Sequence, residues 1–302
     1  MDIVRLVPAT KDYIWGGTKL KKMGKQAPYD HIAECWELSF NESGPSIIDS
    51  GEDKGRALKD VATKEDIGDA CDRFPFFPVL IKLIDSESNL SVQVHPSDEY
   101  ALKNENQFGK TEMWYVIDNE PGCGLYVGFK RKTDENEVRR RIEDGTIMDI
   151  LNFYEVKPGD IYFIPSGTIH AIGKGVTVIE IQQNSTLTYR LYDYKRKDKN
   201  GNERELHVEK AMKVLNFSTY EKRSFDKPIF GECGYFVSYE YDASKDKDVI
   251  ASPHSFSSLT FIEGEGTFAG LPYKKGDTFF VPAGKRGRIE GSGKYILTEV
   301  RP

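Results

Sequence analysis

The sequence has only four cysteines, Cys35, Cys71, Cys123 and Cys233, and no two are spaced as C-x-x-C. That scarcity argues against a disulfide framework and a thiolate zinc site, leaving the thiols as small buried hydrophobes. No apolar run approaches the roughly 20 residues needed to span a bilayer, and the opening MDIVRLVPATKDY lacks the apolar centre of a signal peptide. Excess positive charge is missing too. With 42 Lys and Arg against 48 Asp and Glu, the formal net charge is −6. No global positive field draws nucleic acid or an anionic membrane, so an anionic small molecule must be held by local basic groups. The expected compartment is the cytoplasm.

What is present is a globular composition, 12% aromatic and 30% charged, over 302 residues, long enough for two domains with buried cores. Short runs bounded by Gly, Pro, Asp and Asn read as strands: VLIKLID (79–85), LSVQVH (90–95), EMWYVID (112–118), GLYVGF (124–129), DIYFIP (160–165) and VTVIEIQ (176–182). Strands this short and closely spaced predict a β-sandwich or barrel with few, peripheral helices. Helical spacing appears over 56–67, over 134–144, where Asp134 and Glu137 form a capping pair, and over 206–217, with a further turn or two expected in 146–154. The charged, glycine-punctuated stretch 195–205 reads as an exposed loop and a domain boundary, giving a first unit over 1–196 and a second over 197–302 that opens on the helix.

An internal repeat refines this picture. KPGDIYFIPSGTIHAI (157–172) and KKGDTFFVPAGKRGRI (274–289) align without gaps at an offset of 117 residues, each a Gly-Asp turn, a short strand and a Pro-Gly turn. At the position of His170 the second copy has Gly287. The β-unit therefore does not need a histidine there, which marks His170 as functional and the second unit as metal-free.

SVQVHP (91–96) alternates like a half-buried strand, so Gln93 and His95 share one face before proline ends it. Glu112 shares a face with Trp114 and Val116 on the next strand, and His170 starts a later one. Taken singly, Gln93 reads as a polar rim residue, Glu112 as a solvated strand start and His95 as a cap before Pro96. Together they offer two nitrogens and two oxygens to one divalent ion, a set that suits zinc. Two histidines and a carboxylate also suit non-haem Fe(II), so the ligands leave the chemistry open. His31, His207 and His254 lack such company and read as structural.

An anion-binding end is expected in STLTYRLYDYKRK (185–197), where Arg190 lies among aromatics with Lys195 and Arg196 behind it. Read alone, the segment also fits a surface strand. Lys110, two residues before Glu112, falls on the same face if the strand extends that far, and a nearby divalent ion disfavours its charged form.

These residues carry a resemblance. YIWGG (13–17), AECWELS (33–39), QVHPSDEYA (93–101), GKTEMWYV (109–116), PSGTIHAIGKG (165–175) and EIQQNSTLTYRLYDY (180–194) make the chain similar, over nearly its whole length, to the short bacterial type I phosphomannose isomerases of the cupin superfamily. The resemblance implies an all-β-dominated fold of two jelly-roll barrels: a metal-binding catalytic barrel with helical segments near 56–67 and 134–154, then a linker helix and a metal-free barrel. It implies one Zn2+ per chain on Gln93, His95, Glu112 and His170, Arg190 and Lys110 as catalytic groups, and Trp15 near the pocket. The implied reaction interconverts mannose 6-phosphate and fructose 6-phosphate through a cis-enediolate, and Lys110 with one or both of Lys195 and Arg196 is expected to attract the phosphate. The base stays open between Lys110, a metal-bound hydroxide and a carboxylate such as Glu180. A small phosphosugar is the expected partner, without nucleic acid or membrane, and the working unit a monomer or homodimer. Two departures stand out: long forms have histidine where this chain has Gly109, and only 131–154 stands in place of their helical domain. An Fe(II) cupin dioxygenase and a non-catalytic sugar-binding cupin are the competing readings.

Overall fold

In the computed structural model, which describes residues 1–198 and 200–302, the strands form three sheets. A six-stranded sheet runs in the order Ile161–Ile164, Glu112–Asn119, Val176–Gln183, Val79–Ser86, Glu34–Leu38, Ala9–Lys11. A five-stranded sheet runs Tyr189–Tyr192, Val92–Val94, His170–Ile172, Gly124–Phe129, Leu151–Glu155. The two share an interior that includes Ile84, Trp114, Val116 and Val178 from the first and Leu125, Val127 and Ile172 from the second. This is the first barrel.

Side-chain alternation gives the six-stranded sheet a second buried face. Ile81, Leu83, Met113, Ile179 and Ile181 point away from the barrel and pack with Phe230, Phe280 and Ile296 of the nine-stranded sheet and with Phe236 and Phe256, which directly precede two of its strands. Burial on both faces explains why VLIKLIDS is buried at every position and reads as a nearly continuous apolar run. The outer face of the five-stranded sheet is covered by the helices Glu135–Asp144 and Val208–Met212, through Val138, Ile142, Ala211 and Met212. The second unit has its own core around Phe261, Phe268, Phe279 and Tyr295.

All six expected strands are present. Helices are shorter than their periodicity predicts. Residues 56–67 give two single turns, Leu58–Val61 and Lys64–Ile67, because Ala62 and Thr63 are extended and Thr63 starts the second turn with a capping box. The turns expected over 146–154 are corrected to a 3-10 turn, Ile147–Ile150, followed by an edge strand, Leu151–Glu155. The helix expected over 206–217 is confined to Val208–Met212. Asp134 does cap its helix, accepting the Glu137 amide at 2.9 Å.

The sheets do not part cleanly at 196/197. Val4–Val7 pairs with Thr278–Val281 and with Ile47–Ile48, so the chain crosses into the second unit's sheet before residue 50. The repeat is structural: Asp160 accepts the Lys157 amide at 2.9 Å, and Asp277 accepts the Lys274 amide at 3.0 Å. Its difference is structural as well. A Cβ at Gly287 would lie 2.5 Å from the Phe268 ring and 2.9 Å from Ile3 Cδ1, so apolar side chains fill the space that His170 occupies in the first barrel.

Candidate metal centre and cavity

Strand register assembles the site. On the five-stranded sheet Gln93 lies between His170 and Arg190, its in-register neighbours on either side. Facing it, the six-stranded sheet carries a row of Trp114, Glu180, Lys82 and Trp36, each paired with the next. Glu112 opens the Trp114 strand, and His95 follows directly after Val94.

His95 Nε2 is 3.4 Å from Glu112 Oε2, and His170 Nε2 is 3.3 Å from Oε1. The rings are fixed from behind, His95 Nδ1 by the Leu187 carbonyl at 2.7 Å and His170 Nδ1 by the Thr168 carbonyl at 2.8 Å. A proton on Nδ1 leaves the lone pair on Nε2, so two lone pairs face one carboxylate. All three residues are buried and their ligand atoms lie within 4.8 Å of one another. Glu112 Oε1 receives no hydrogen bond. The Lys110 ammonium reaches only the Glu112 Oε2 and His95 Nε2 side of this buried acceptor cluster, and a divalent ion would satisfy all of it. Gln93 Nε2 is 3.3 Å from His170 Nε2, and a half-turn of the amide puts its oxygen there as a fourth ligand. The His95, Glu112 and His170 donors fit a divalent metal ion.

Burial, reinforced by the Lys110 charge, lowers the His95 pKa to about 4, and burial lowers that of His170, so both rings are neutral ligands near pH 7. For Glu112, burial pushes upward, yet Lys110 and the two histidines outweigh it and hold the carboxyl well below its usual range. The strand begins at Glu112, one residue after Thr111, so Lys110 lies in the preceding loop. Its ammonium nevertheless reaches 2.5 Å from Glu112 Oε2 and 3.2 Å from His95 Nε2.

Beside the ligands opens a cavity of about 490 Å³, large enough for a small sugar phosphate. Gln93, Lys110, Arg190 and Trp15 line it. Lys195 and Arg196 do not. Lys195 is exposed with its backbone in the left-handed region, and Arg196 is turned to Asp193 and to the Asn89 carbonyl at 2.6 Å. Arg204, from the loop that follows this segment, joins Arg190 in the cavity wall and is held in place by Asp193. Burial and the neighbouring Arg204 charge draw the Arg190 pKa below its usual value, so an anion between the two guanidinium groups relieves both.

Sequence reasoning also passed over Lys82, Glu34 and Trp36. Lys82 bridges Glu180 at 3.1 Å and Glu34 at 3.5 Å, and Trp36 donates to Glu34 at 2.7 Å. A signal existed, since VLIKLID and VTVIEIQ each carry a single charge at the centre of a buried run. Gly109 explains its own departure from the long forms: a Cβ there would collide with the Ser97 backbone and lie 2.5 Å from the Asp98 nitrogen, so no histidine fits.

A jelly-roll barrel holding a buried two-histidine, one-carboxylate centre beside a polar cavity defines a metal-dependent cupin enzyme. Comparison with known proteins narrows the class. The sequence model of the phosphomannose isomerase type I catalytic domain matches residues 3–125. The mannose-6-phosphate isomerase ManA of Bacillus subtilis is 36% identical over 97% of both chains, and the mannose-6-phosphate isomerase of Streptococcus mutans is 35% identical over 89% of both. The crystal structure of the mannose 6-phosphate isomerase from Bacillus subtilis superposes with a TM-score of 0.87 over 99% of both chains, at 35% identity. The chain belongs to the type I phosphomannose isomerases, metal-dependent aldose–ketose isomerases. Membership sets aside the Fe(II) oxygenase and non-catalytic readings.

Proposed function

We propose that the chain interconverts mannose 6-phosphate and fructose 6-phosphate with one zinc ion held by Gln93, His95, Glu112 and His170. The observation that carries this reading is the convergence of both Nε2 lone pairs on Glu112, with Lys110 beside them at the cavity wall. Two neutral imidazoles with one carboxylate and an amide oxygen leave a zinc centre with net positive charge. Held there, the ion would supply Lewis-acid chemistry next to the cavity that Gln93 and Lys110 line.

The remaining work falls to the chain. The proton on C2 of the aldose must be removed and returned to C1, and Lys110 and Glu180 are the groups in reach: they lie 3.5 Å apart and both line the cavity. Burial and Glu112 push the Glu180 pKa up, but Lys110 and Lys82 outweigh them, so its carboxylate is ionised and able to accept a proton. Trp114 fixes Glu180 Oε2 through a 2.9 Å hydrogen bond. Arg190 stabilises charge on the enediolate side, and with Arg204 holds the phosphate, the role first expected of Lys195 and Arg196. Trp15 walls the sugar.

Residues 1–196 thus supply the metal and the proton-transfer groups, while 197–302 contribute Arg204 and a metal-free barrel. Among the described residues no helix is long and apolar enough to cross a membrane, and all four cysteines are free. The compartment we propose is the cytoplasm, and the working unit a monomer or homodimer.

The test is a coupled assay for fructose 6-phosphate from mannose 6-phosphate, before and after chelation and with zinc restored. Activity lost on chelation and recovered with zinc is the expected result. A protein inactive with every divalent metal would overturn the reading.

A further inference from the structure

Lys110 has no strand ladder to hold it, yet the amides around it are all engaged. Gly109 N donates to Asp98 Oδ1 at 2.8 Å, Lys110 N to the Pro96 carbonyl at 3.0 Å, and Thr111 N to Gln183 Oε1 at 2.7 Å. Gln183 is fixed in turn, its Nε2 donating to the same Asp98 oxygen at 2.8 Å. Asp98 is therefore the hub of the loop. Its other oxygen accepts a 2.9 Å hydrogen bond from Tyr235 Oη, which comes from the turn between two strands of the nine-stranded sheet, Ile229–Glu232 and Val237–Asp242.

We propose that Tyr235, supplied by the metal-free unit, is a positioning residue for Lys110, acting through Asp98 and Gln183. The proposal rests on the isomerase reading of Lys110. It gives the second unit a part in catalysis that its apolar interior does not otherwise have.

The tyrosine is well fixed for this task. Its ring stacks on Phe74 with centroids 4.7 Å apart and meets the edge of Phe108, the residue before Gly109, at 5.2 Å. Arg73 donates to the Gly234 carbonyl at 2.9 Å, anchoring the turn that carries it. With the hydroxyl bonded, the Asp98 carboxylate has donors on both oxygens and one orientation. Without it, Oδ2 loses its partner and the carboxylate is oriented only through Oδ1, by Gly109 N and Gln183 Nε2, so the acceptors of the Gly109 and Thr111 amides are held less firmly. A misplaced catalytic amine lowers the rate of proton transfer while leaving sugar binding to the rest of the cavity.

The experiment uses the full-length, zinc-loaded protein and the variants Tyr235→Phe, Asp98→Asn and Asp98→Ala. Tyr235→Phe is expected to lower kcat by about tenfold, with KM for mannose 6-phosphate within about twofold and zinc content unchanged. Hydrogen exchange of the amides at 109–111 should quicken in the same variant. Asp98→Asn should stay near the parent, because its oxygen still accepts from Gly109 and its amide can donate to the tyrosine oxygen. Asp98→Ala should lose at least as much as Tyr235→Phe. Parental kcat and parental exchange in Tyr235→Phe would overturn the proposal, as would a loss carried by KM or by metal content. An inactive parent would strike at the isomerase reading instead, and exchange at 109–111 would still decide whether Tyr235 holds the loop.

Discussion

Lys82 Nζ lies 3.1 Å from Glu180 Oε1, at the centre of two neighbouring strands that are buried along their whole length. Burial opposes the lysine's charge, but Glu34 and Glu180 outweigh it and raise the pKa above the usual lysine value. Two charges kept so deep, facing a cavity rather than the core, are there for chemistry more than for stability.

Glu180→Gln keeps the shape and removes the proton acceptor. We expect kcat to fall by about a hundredfold or more, as for loss of a general base, with zinc content unchanged. Lys82→Met strips a shared partner from two buried carboxylates, and the unfolding free energy should fall by about 3 kcal/mol in urea titration. A Glu180→Gln enzyme with parental kcat would remove it from the proton path.

The pH dependence of the zinc-free protein follows from the ligands. His95 has its pKa lowered to about 4 in the fold, whereas an unfolded histidine titrates near 6.5. Between those values the unfolded chain binds the proton and the folded one does not, so stability falls as pH drops from about 6.5 to about 4. Glu112 acts in the same direction further down: its folded pKa lies well below the unfolded value, so its contribution is present above about 4.5 and is lost as pH falls through the folded pKa. Melting temperature measured from pH 7 to 4 should decline across this range, and His95→Gln should flatten the upper part. A level profile between pH 6.5 and 5 would contradict a buried neutral His95.

Arg204 and Arg196 both bond to Asp193, yet only Arg204 lines the cavity. Arg204→Ala should raise KM for mannose 6-phosphate by about tenfold, the loss of one charge-assisted contact, with a smaller effect on unphosphorylated mannose. Lys195→Ala should leave both unchanged. Equal effects on the two sugars would take the phosphate away from Arg204.

Much of the site was legible because its residues follow local rules. Gln93 and His95 announce themselves by alternation in SVQVHP, and the repeat exposes His170 through Gly287. What escaped depends on long-range packing. Arg196 and Arg204 both lie in the charged stretch 195–205 and both bond to Asp193, so only the path of the chain and the turn of Arg196 to the Asn89 carbonyl decide which guanidinium faces the cavity. The helices over 56–67 and 206–217 read longer than they are because a spaced set of apolar residues also suits single turns leading into extended chain. The strand Glu34–Leu38 is buried on both faces and so shows no alternation, and the early crossing of Val4–Val7 into the second unit's sheet leaves no local trace.

The same strand, Glu34–Leu38, separates function from stability on its two faces. Glu34 and Trp36 line the cavity, whereas Glu37 points towards the second unit. There it meets Lys25 at 2.7 Å, and Lys25 also donates to the Gly276 carbonyl, in the turn of the second repeat copy, at 2.6 Å. Burial raises the Glu37 pKa against the opposing pull of Lys25. Removing the lysine alone leaves the fully buried Glu37 carboxylate with the Thr278 hydroxyl but no charge partner, and takes a donor from the Gly276 carbonyl, so Lys25→Met should cost about 3 kcal/mol in urea unfolding. Replacing both members, Lys25→Met with Glu37→Met, should recover most of that loss, since the desolvation of the pair disappears with it. Because the pair sits on the face away from the cavity, kcat and KM of the folded Lys25→Met protein should match the parent. A variant equally stable but slow would mean that the contact between the units, and not only Tyr235, tunes the catalytic barrel.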